Sequence, residues 1–305
     1  MRRILNIGSI NIDYVYDVRH FVQPGETLSA TDLNIFPGGK GLNQSIALAR
    51  AGASVFHAGK TGSDGREMIE LMKQAGVNVD RVDSSGKNTG HAIIQVDSEG
   101  ENCIILFGGA NSEMDRPYID SAFSGFGKND FLVLQNEVNE IEYMIESAVA
   151  EGLYVVFNPA PFGPEVTRYP LDLVDCFVLN EIEGNGLSGK EKPEEILDEM
   201  RSRFPKASIV LTLGSDGALY KDANTTLRHG VYDVEVVDTT AAGDTFLGYF
   251  IASLAADKTI DEALRLASIA SSLAVSRKGA SSSIPILDEV LSAGLKPVAL
   301  ITREY

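Results

Sequence analysis

Six short apolar runs, most of them separated by helical stretches, constrain this chain more than any other feature. They are "ILNIG" (4–8), "SVFHAG" (54–59), "FLVLQ" (131–135), "YVVFN" (154–158), "CFVLN" (176–180) and "SIVLTLG" (208–214). Each has strand length and enough apolar character for a fully buried strand. "LNQSIALARAG", "REMIELMKQAG" and "NEIEYMIESAVAEG" lie between them with helical spacing and end at Gly52, Gly76 and Gly152, where a helix C-cap favours glycine. Strand–helix alternation predicts a mostly parallel sheet with helices on both faces. Gly8, Gln135, Asn158, Asn180 and Gly214 close five of these runs. Ligands of such sheets bind outside the carboxyl ends of the strands.

Two segments break the alternation. "YVYDVRHFVQPGETLSATDLNIF" (14–36) and "GHAIIQVDSEGENCIILF" (90–107) read as strands with turns, including a hairpin around Ser98-Glu99-Gly100. They are expected to pair as a small separate sheet, a lid over the strand ends, within a single α/β domain covering 1–305.

The 305 residues suffice for one large core, and 44% apolar with 23% charged residues is a globular composition. A net charge of −17 disfavours nucleic acid and anionic membranes as partners, because both need a basic face. A phosphate remains compatible, since a local nest of N–H groups can hold it against the global field. The opening "MRRILNIGSINID" reads as a first strand rather than a signal peptide, because Asn6 interrupts its apolar run, and no segment approaches transmembrane length. Cys103 and Cys176 lack metal-ligand spacing and are expected to be free buried thiols in a reducing cytosol. "GKEKPEEILDEM" reads as a charged, solvated helix start.

"DTTAAGDTF" (238–246) sets two carboxylates around very small residues and opens an amphipathic helix. Asp244 falls in the first turn, where Ala242, Gly243 and Asp244 would offer unpaired N–H groups to an anion. Asp244 is then either a base beside a phosphate or a helix cap. In "PGGKGLNQ", Gly38, Gly39 and Gly41 permit close backbone approach while Lys40 and Asn43 supply donors suited to hydroxyl groups; a flexible turn fits equally. "GSINID" places Asn11 and Asp13 at a strand end, and "QNE" does the same for Glu137. Asn180 and Glu183 in "LNEIEG" stand at i, i+3, suited either to a hydrated Mg²⁺ or to a helix N-terminus. "AGKTGSDG" is not a P-loop, because the glycine required five positions before Gly59 is Ser54. No G-x-G-x-x-G follows the first strand, which removes the argument for NAD.

In their order, "GSINID", "PGGKGLNQ", "GKTGSDG", "NPAP", "LNEIEG", "TLGSDGALY", "DTTAAGDTF" and "SRKGASSSIP" resemble the PfkB family of carbohydrate kinases, and within it the ribokinases, from Gly8 to Pro285. The resemblance implies a ribokinase-like α/β fold whose β-sheet lid clasps that of a second subunit in a homodimer. It implies ATP-dependent phosphorylation of the ribose 5-hydroxyl, with Asp244 as base and Ala241, Ala242 and Gly243 as anion hole. Asn11, Asp13, Gly39, Lys40, Asn43 and Glu137 match sugar contacts. Asn180, Thr212, Leu213, Gly214, Ser215, Asp216, Gly217, Gly243 and Ser268 fall at nucleotide positions, and Glu183 with Asn180 at the magnesium-linked N-x-x-E. Asp238, Thr240, Ala274, Arg277, Gly279 and Ser283 match a loop pair that holds a monovalent cation, K⁺; the bland reading has Asp238 ending a strand.

Three positions depart from the family pattern. Leu179 replaces a proline, Tyr249 replaces a small residue and would face solvent or fill extra space, and Asn136 replaces an apolar residue before Glu137. The competing readings are a related kinase for another sugar or a nucleoside, and a sugar-binding sensor without catalysis.

Overall fold

The computed structural model describes residues 2–298. Elements are labelled in chain order, beginning with β1 (Arg3–Ile7), β2 (Asn11–Asp17), β3 (Asp32–Gly38), α1 (Lys40–Arg50), β4 (Ser54–Lys60), α2 (Arg66–Gln74) and β5 (Asn78–Asp83). A hairpin of β6 (Gly90–Val96) and β7 (Asn102–Phe107) precedes α3 (Arg116–Phe123), β8 (Phe131–Gln135), α4 (Ile141–Glu151) and β9 (Tyr154–Asn158). Then come β10 (Cys176–Asn180), α5 (Glu181–Ser188), α6 (Pro193–Arg203), β11 (Ser208–Thr212), β12 (Ala218–Lys221) and β13 (Thr226–His229). The C-terminal part holds α7 (Ala242–Ala255), α8 (Ile260–Val275) and α9 (Leu287–Ser292).

Nine strands form one sheet in the order β13-β12-β11-β10-β9-β8-β1-β4-β5. All pairs from β11 to β5 are parallel, and only the β11–β12–β13 end is antiparallel. This is the mostly parallel sheet that the alternation predicts. The strand period of two sorts each buried run between two cores. Ile4, Val133, Val156, Val178 and Val210 face α1, α2, α7 and α8, while Leu5, Leu132, Val155, Phe177 and Ile209 face α3, α4 and α6. Gly52, Gly76 and Gly152 all adopt positive φ just past their helices, as a C-terminal cap requires. Along one edge the strands end on polar groups, with Gln135 beside Asn158 and Asn180 beside Thr212.

The segments that break the alternation pair as a separate sheet in the order β3-β2-β6-β7. Its strands run further than the hydrophobic pattern indicates, to Asn11 opposite Gly38 and Gly90, while 18–31 contains no strand. Pro37 fits this extension because β3 lies at a sheet edge, where the missing N–H costs no ladder bond. Every residue of β7 is exposed, and so are Leu33, Ile35, Phe36 and Ile93. Cys103 is therefore exposed, against the expectation of two buried thiols, because it sits on this projecting strand; Cys176 is buried and both are unpaired.

Candidate active site

The start of α7 presents the donors of the site. Ala241 precedes the helix at φ 58°, in the left-handed region, and no side chain caps the helix. Asp244 is thus not the cap that one reading of the sequence allows. The Ala242 N–H is already bonded to the Thr239 carbonyl at 3.2 Å, which corrects the expectation of three open donors. The tight turn at Ala241 folds Thr239 back over that group. Among the described residues the Gly243 and Asp244 N–H groups carry no partner, and Gly243 has open space where a Cβ would stand.

Asp244 is 8% exposed. Its Oδ2 accepts from Asn43 Nδ2 at 3.2 Å and its Oδ1 from Gln44 Nε2 at 2.9 Å. Both donors sit near the start of α1, which follows Gly39 at φ 94°. Gly41 is required for a different reason. A Cβ there would lie 2.4 Å from the Ser9 nitrogen, so only glycine lets α1 lie against the end of β1.

The remaining sugar-type residues gather around the same helix start. Glu137 Oε2 accepts from the Lys40 N–H at 2.9 Å and from the Ser9 hydroxyl. Asn11 Oδ1 accepts from Asn111 Nδ2 at 2.7 Å, and Asn111 in turn takes the Ile10 N–H at 3.0 Å. Asp13 packs against Gly38, where a Cβ would fall 2.1 Å from its carboxylate. Burial, with the nearby Glu137 charge, pushes Asp13 up to about 6. Burial also raises the Glu137 carboxyl, against the pull of Lys40. Burial alone would lower the Lys40 ammonium, but Asp244, Glu137 and Glu183 outweigh it and hold the charged form. One cation is thus shared among three carboxylates.

Two cavities meet at the start of α7. A polar one of about 230 Å³ is lined by Lys40, Asn158, Asn180, Glu183, Thr212 and Asp244, among others. A larger one of about 520 Å³ is lined by Gly214, Ser215, Gly217 and Ser268 together with Val236 and Phe246. Thr212, Thr239, Ala242 and Gly243 border both. Leu213 instead places its side chain in the core, and the Asp216 N–H bonds the Leu213 carbonyl in the turn below the larger cavity.

Asn180 and Glu183 form a reciprocal cap on α5. Asn180 Oδ1 accepts the Glu183 N–H at 3.0 Å, and Glu183 Oε2 accepts the Asn180 N–H at 2.9 Å. Glu183 also faces Asn158 Nδ2 at 3.4 Å, and burial raises its carboxyl above the usual range. Among the described residues no group of three or more His, Cys, Asp or Glu side chains is arranged to hold a metal.

The loop at 238–240 is joined directly to the stretch 274–283, the end of α8 and the loop that follows it. Asp238 Oδ1 accepts the Thr240 N–H at 2.9 Å and its hydroxyl at 2.6 Å, while Oδ2 accepts the Gly279 N–H at 2.9 Å. No strand ends at Asp238, so the bland reading of that residue does not hold. The Ala274 carbonyl accepts the Arg277 N–H at 3.1 Å, Ser283 Oγ donates to the Ala280 carbonyl at 2.8 Å, and the Arg277 guanidinium pairs with Glu289.

The three departures find distinct places. Tyr249 is 1% exposed and donates to the Pro285 carbonyl at 2.8 Å, so it fills interior space. Leu179 is buried in the core. Asn136 binds the Pro161 carbonyl at 2.8 Å, Glu165 at 2.9 Å and Tyr169 at 2.9 Å. Gln44, Asn158, Asn111 and Ser9 belong to the site although the motif reading assigned them nothing. Asn158 carried a signal as the polar end of a buried strand; the others depend on long-range contacts.

Comparison with known proteins finds relatives along nearly the whole chain. Residues 1–287 match the family described as pfkB family carbohydrate kinase. The ribokinase of Haemophilus influenzae is 36% identical over 306 residues, covering 95% of this chain and 98% of that protein. The ribokinase of Cryptococcus neoformans in complex with ADP superposes with a TM-score of 0.82 at 32% identity, covering 96% of this chain and 100% of that one. The Arabidopsis thaliana ribokinase complexed with ribose and ATP gives 0.83 at 29%, covering 95% and 98%.

Proposed function

Because the chain belongs to the pfkB family of carbohydrate kinases, we propose that it is an ATP-dependent kinase of ribose, transferring the γ-phosphoryl group to the 5-hydroxyl. One observation carries the mechanism. The buried Asp244 carboxylate stands beside the open Gly243 and Asp244 N–H groups, where the polar and the larger cavity meet. The sugar hydroxyl oxygen attacks the γ-phosphorus, the bond to the β–γ bridging oxygen breaks, and Asp244 takes the hydroxyl proton. The two N–H groups and the positive end of α7 stabilise charge on the transferring phosphoryl. Asn11, Asp13, Gly39, Lys40, Asn43 and Glu137 hold the sugar, and the cavity of Gly214, Ser215, Gly217 and Ser268 holds the nucleotide.

Mg²⁺ fits Glu183 and Asn180, since the ion keeps most of its waters and needs few protein ligands; bound with ATP, it neutralises phosphate charge. A monovalent cation, K⁺, fits the carboxylate of Asp238 and the oxygens of Thr240, Ala274, Arg277, Gly279 and Ser283, a donor set of oxygens alone. It would steady the turn before Ala241. The small sheet acts as a lid that excludes water. Its exposed Leu33, Ile35, Phe36, Ile104, Ile105 and Leu106 favour a second copy as cover, giving a homodimer. Two unpaired cysteines suit a reducing, cytoplasmic setting.

Coupled ADP-release assays over ribose, deoxyribose, fructose and nucleosides test the reading. Ribose should give the highest kcat/KM. Preference for a nucleoside, or no turnover with any acceptor, would overturn it.

A further inference from the structure

Six fully or nearly fully buried polar side chains form one hydrogen-bonded chain ending at Asp244. Gln44 is 0% exposed and uses both amide hydrogens, one on Asp244 Oδ1 at 2.9 Å and one on Asn158 Oδ1 at 3.1 Å. Its Oε1 accepts from Gln135 Nε2 at 2.7 Å. Gln135 gives its second hydrogen to Asn6 Oδ1 at 2.9 Å. Asn6 donates to the Gly41 carbonyl at 2.9 Å and to Ser45 Oγ at 2.8 Å, and Ser45 meets His57 Nδ1 at 2.7 Å.

Two fixed ends dictate every amide orientation in between. An ionised Asp244 accepts only, so the Gln44 amide nitrogen must face it and its oxygen must face Gln135. The Gly41 carbonyl likewise accepts only, so Asn6 presents nitrogen there and oxygen to Gln135. Ser45 then donates to an unprotonated His57 Nδ1, in keeping with burial that holds this imidazole neutral, down at about 4. The chain therefore has one consistent arrangement, and it is anchored on β1, β4 and β8 of the central sheet.

Resting on the kinase reading above, we propose that Gln44, oriented by Gln135 and Asn6, is a positioning residue for the Asp244 base. It fixes the rotation of the carboxylate toward the acceptor hydroxyl. Through Asn158 it also ties the base to Glu183, another residue lining the polar cavity. Gln44 is fully buried and its amide is taken up by Asp244, Asn158 and Gln135, so it acts on the reaction through the base rather than by touching substrate.

Gln44→Glu keeps the shape but replaces the two amide donors to Asp244 and Asn158 with at most one O–H, shared with the Asp244 carboxylate, and Gln44→Leu removes all three bonds. Both should lower kcat by about 10- to 100-fold, the range for a group displaced by an ångström or less. The sugar KM should stay within about threefold of wild type, because the sugar contacts are untouched. Gln135→Leu should lower kcat less, and combined with Gln44→Leu should add little, as expected for residues acting in series. Unchanged kcat in Gln44→Glu, or KM rising in step with the fall in kcat, would overturn the proposal. Ligand-free crystal structures of wild type and Gln44→Glu provide a readout without turnover: the Asp244 carboxylate should rotate in the variant, and an unmoved carboxylate counts against the proposal. If wild type itself phosphorylates no acceptor, the kinase reading fails, while the carboxylate rotation still decides the contact.

Discussion

Gly248 lies so close to Ala47 that a Cβ on it would stand 2.3 Å from the Ala47 Cβ. Each residue is one helical turn past a partner in the site, Gly248 past Asp244 on α7 and Ala47 past Asn43 on α1. The close crossing of the two helices is what brings Asn43 and Gln44 within hydrogen-bond reach of Asp244. Gly248→Ala would gain up to about 1 kcal/mol of helix propensity. The steric conflict, typically about 1–3 kcal/mol for an overpacked core, should outweigh that gain. Urea denaturation should therefore show net destabilisation and assays a reduced kcat; a stabilised, fully active variant would show that the crossing is slack.

Asp244→Asn keeps shape and helix but removes the proton acceptor. Turnover should fall by about 10²–10⁴-fold, the usual worth of a general base. Calorimetry should still detect sugar binding. Retention of more than about a tenth of wild-type kcat would exclude Asp244 as base.

Asp13 carries a folded-state pKa of about 6, raised first by burial and then by Glu137. Its ionised form accepts sugar hydroxyls, so the sugar KM should be flat above pH 7 and rise as pH falls through 6. The sign for stability is opposite. A raised carboxyl costs the ligand-free protein stability above pH 6, at most about 3 kcal/mol from the shift of pKa, and the cost fades as pH falls from 6 to about 4. Asp13→Asn should accordingly raise Tm at pH 7.5 while weakening sugar binding. A variant that binds sugar normally would place Asp13 outside the site.

At constant ionic strength K⁺ should stimulate turnover saturably and Na⁺ little. Asp238→Ala should abolish the response and leave sugar binding largely intact. It should also loosen the loops, because Asp238 itself bonds Thr240 and Gly279. Equal rates in the two salts would remove the cation from the mechanism.

Ile105 is 59% exposed on β7. A charge placed at the centre of a buried apolar contact is strongly unfavourable. Ile105→Lys should thus shift the mass seen in sedimentation from dimer to monomer. A variant that stays dimeric, or a monomeric wild type, would refute pairing through the small sheet.

Local sequence determined a large share of this protein. The buried runs, the helices ending at Gly52, Gly76 and Gly152, and the small residues of "AAGD" all act over a few neighbouring residues, where period and conformational preference suffice. Asp244 and Glu183 could be singled out for the same reason, each standing in the first turn of its helix. What the sequence left open was which distant groups meet them. Gln44 and Asp244 are 200 positions apart, and their bond depends on the Gly248–Ala47 crossing. Thr239 closes over the Ala242 N–H because Ala241 takes a left-handed turn, an option that composition does not reveal for alanine. Cys103 is exposed because its strand projects from the body in the small sheet. Such outcomes follow from helix crossings, backbone turns and strand order, which are settled only when the whole chain packs at once.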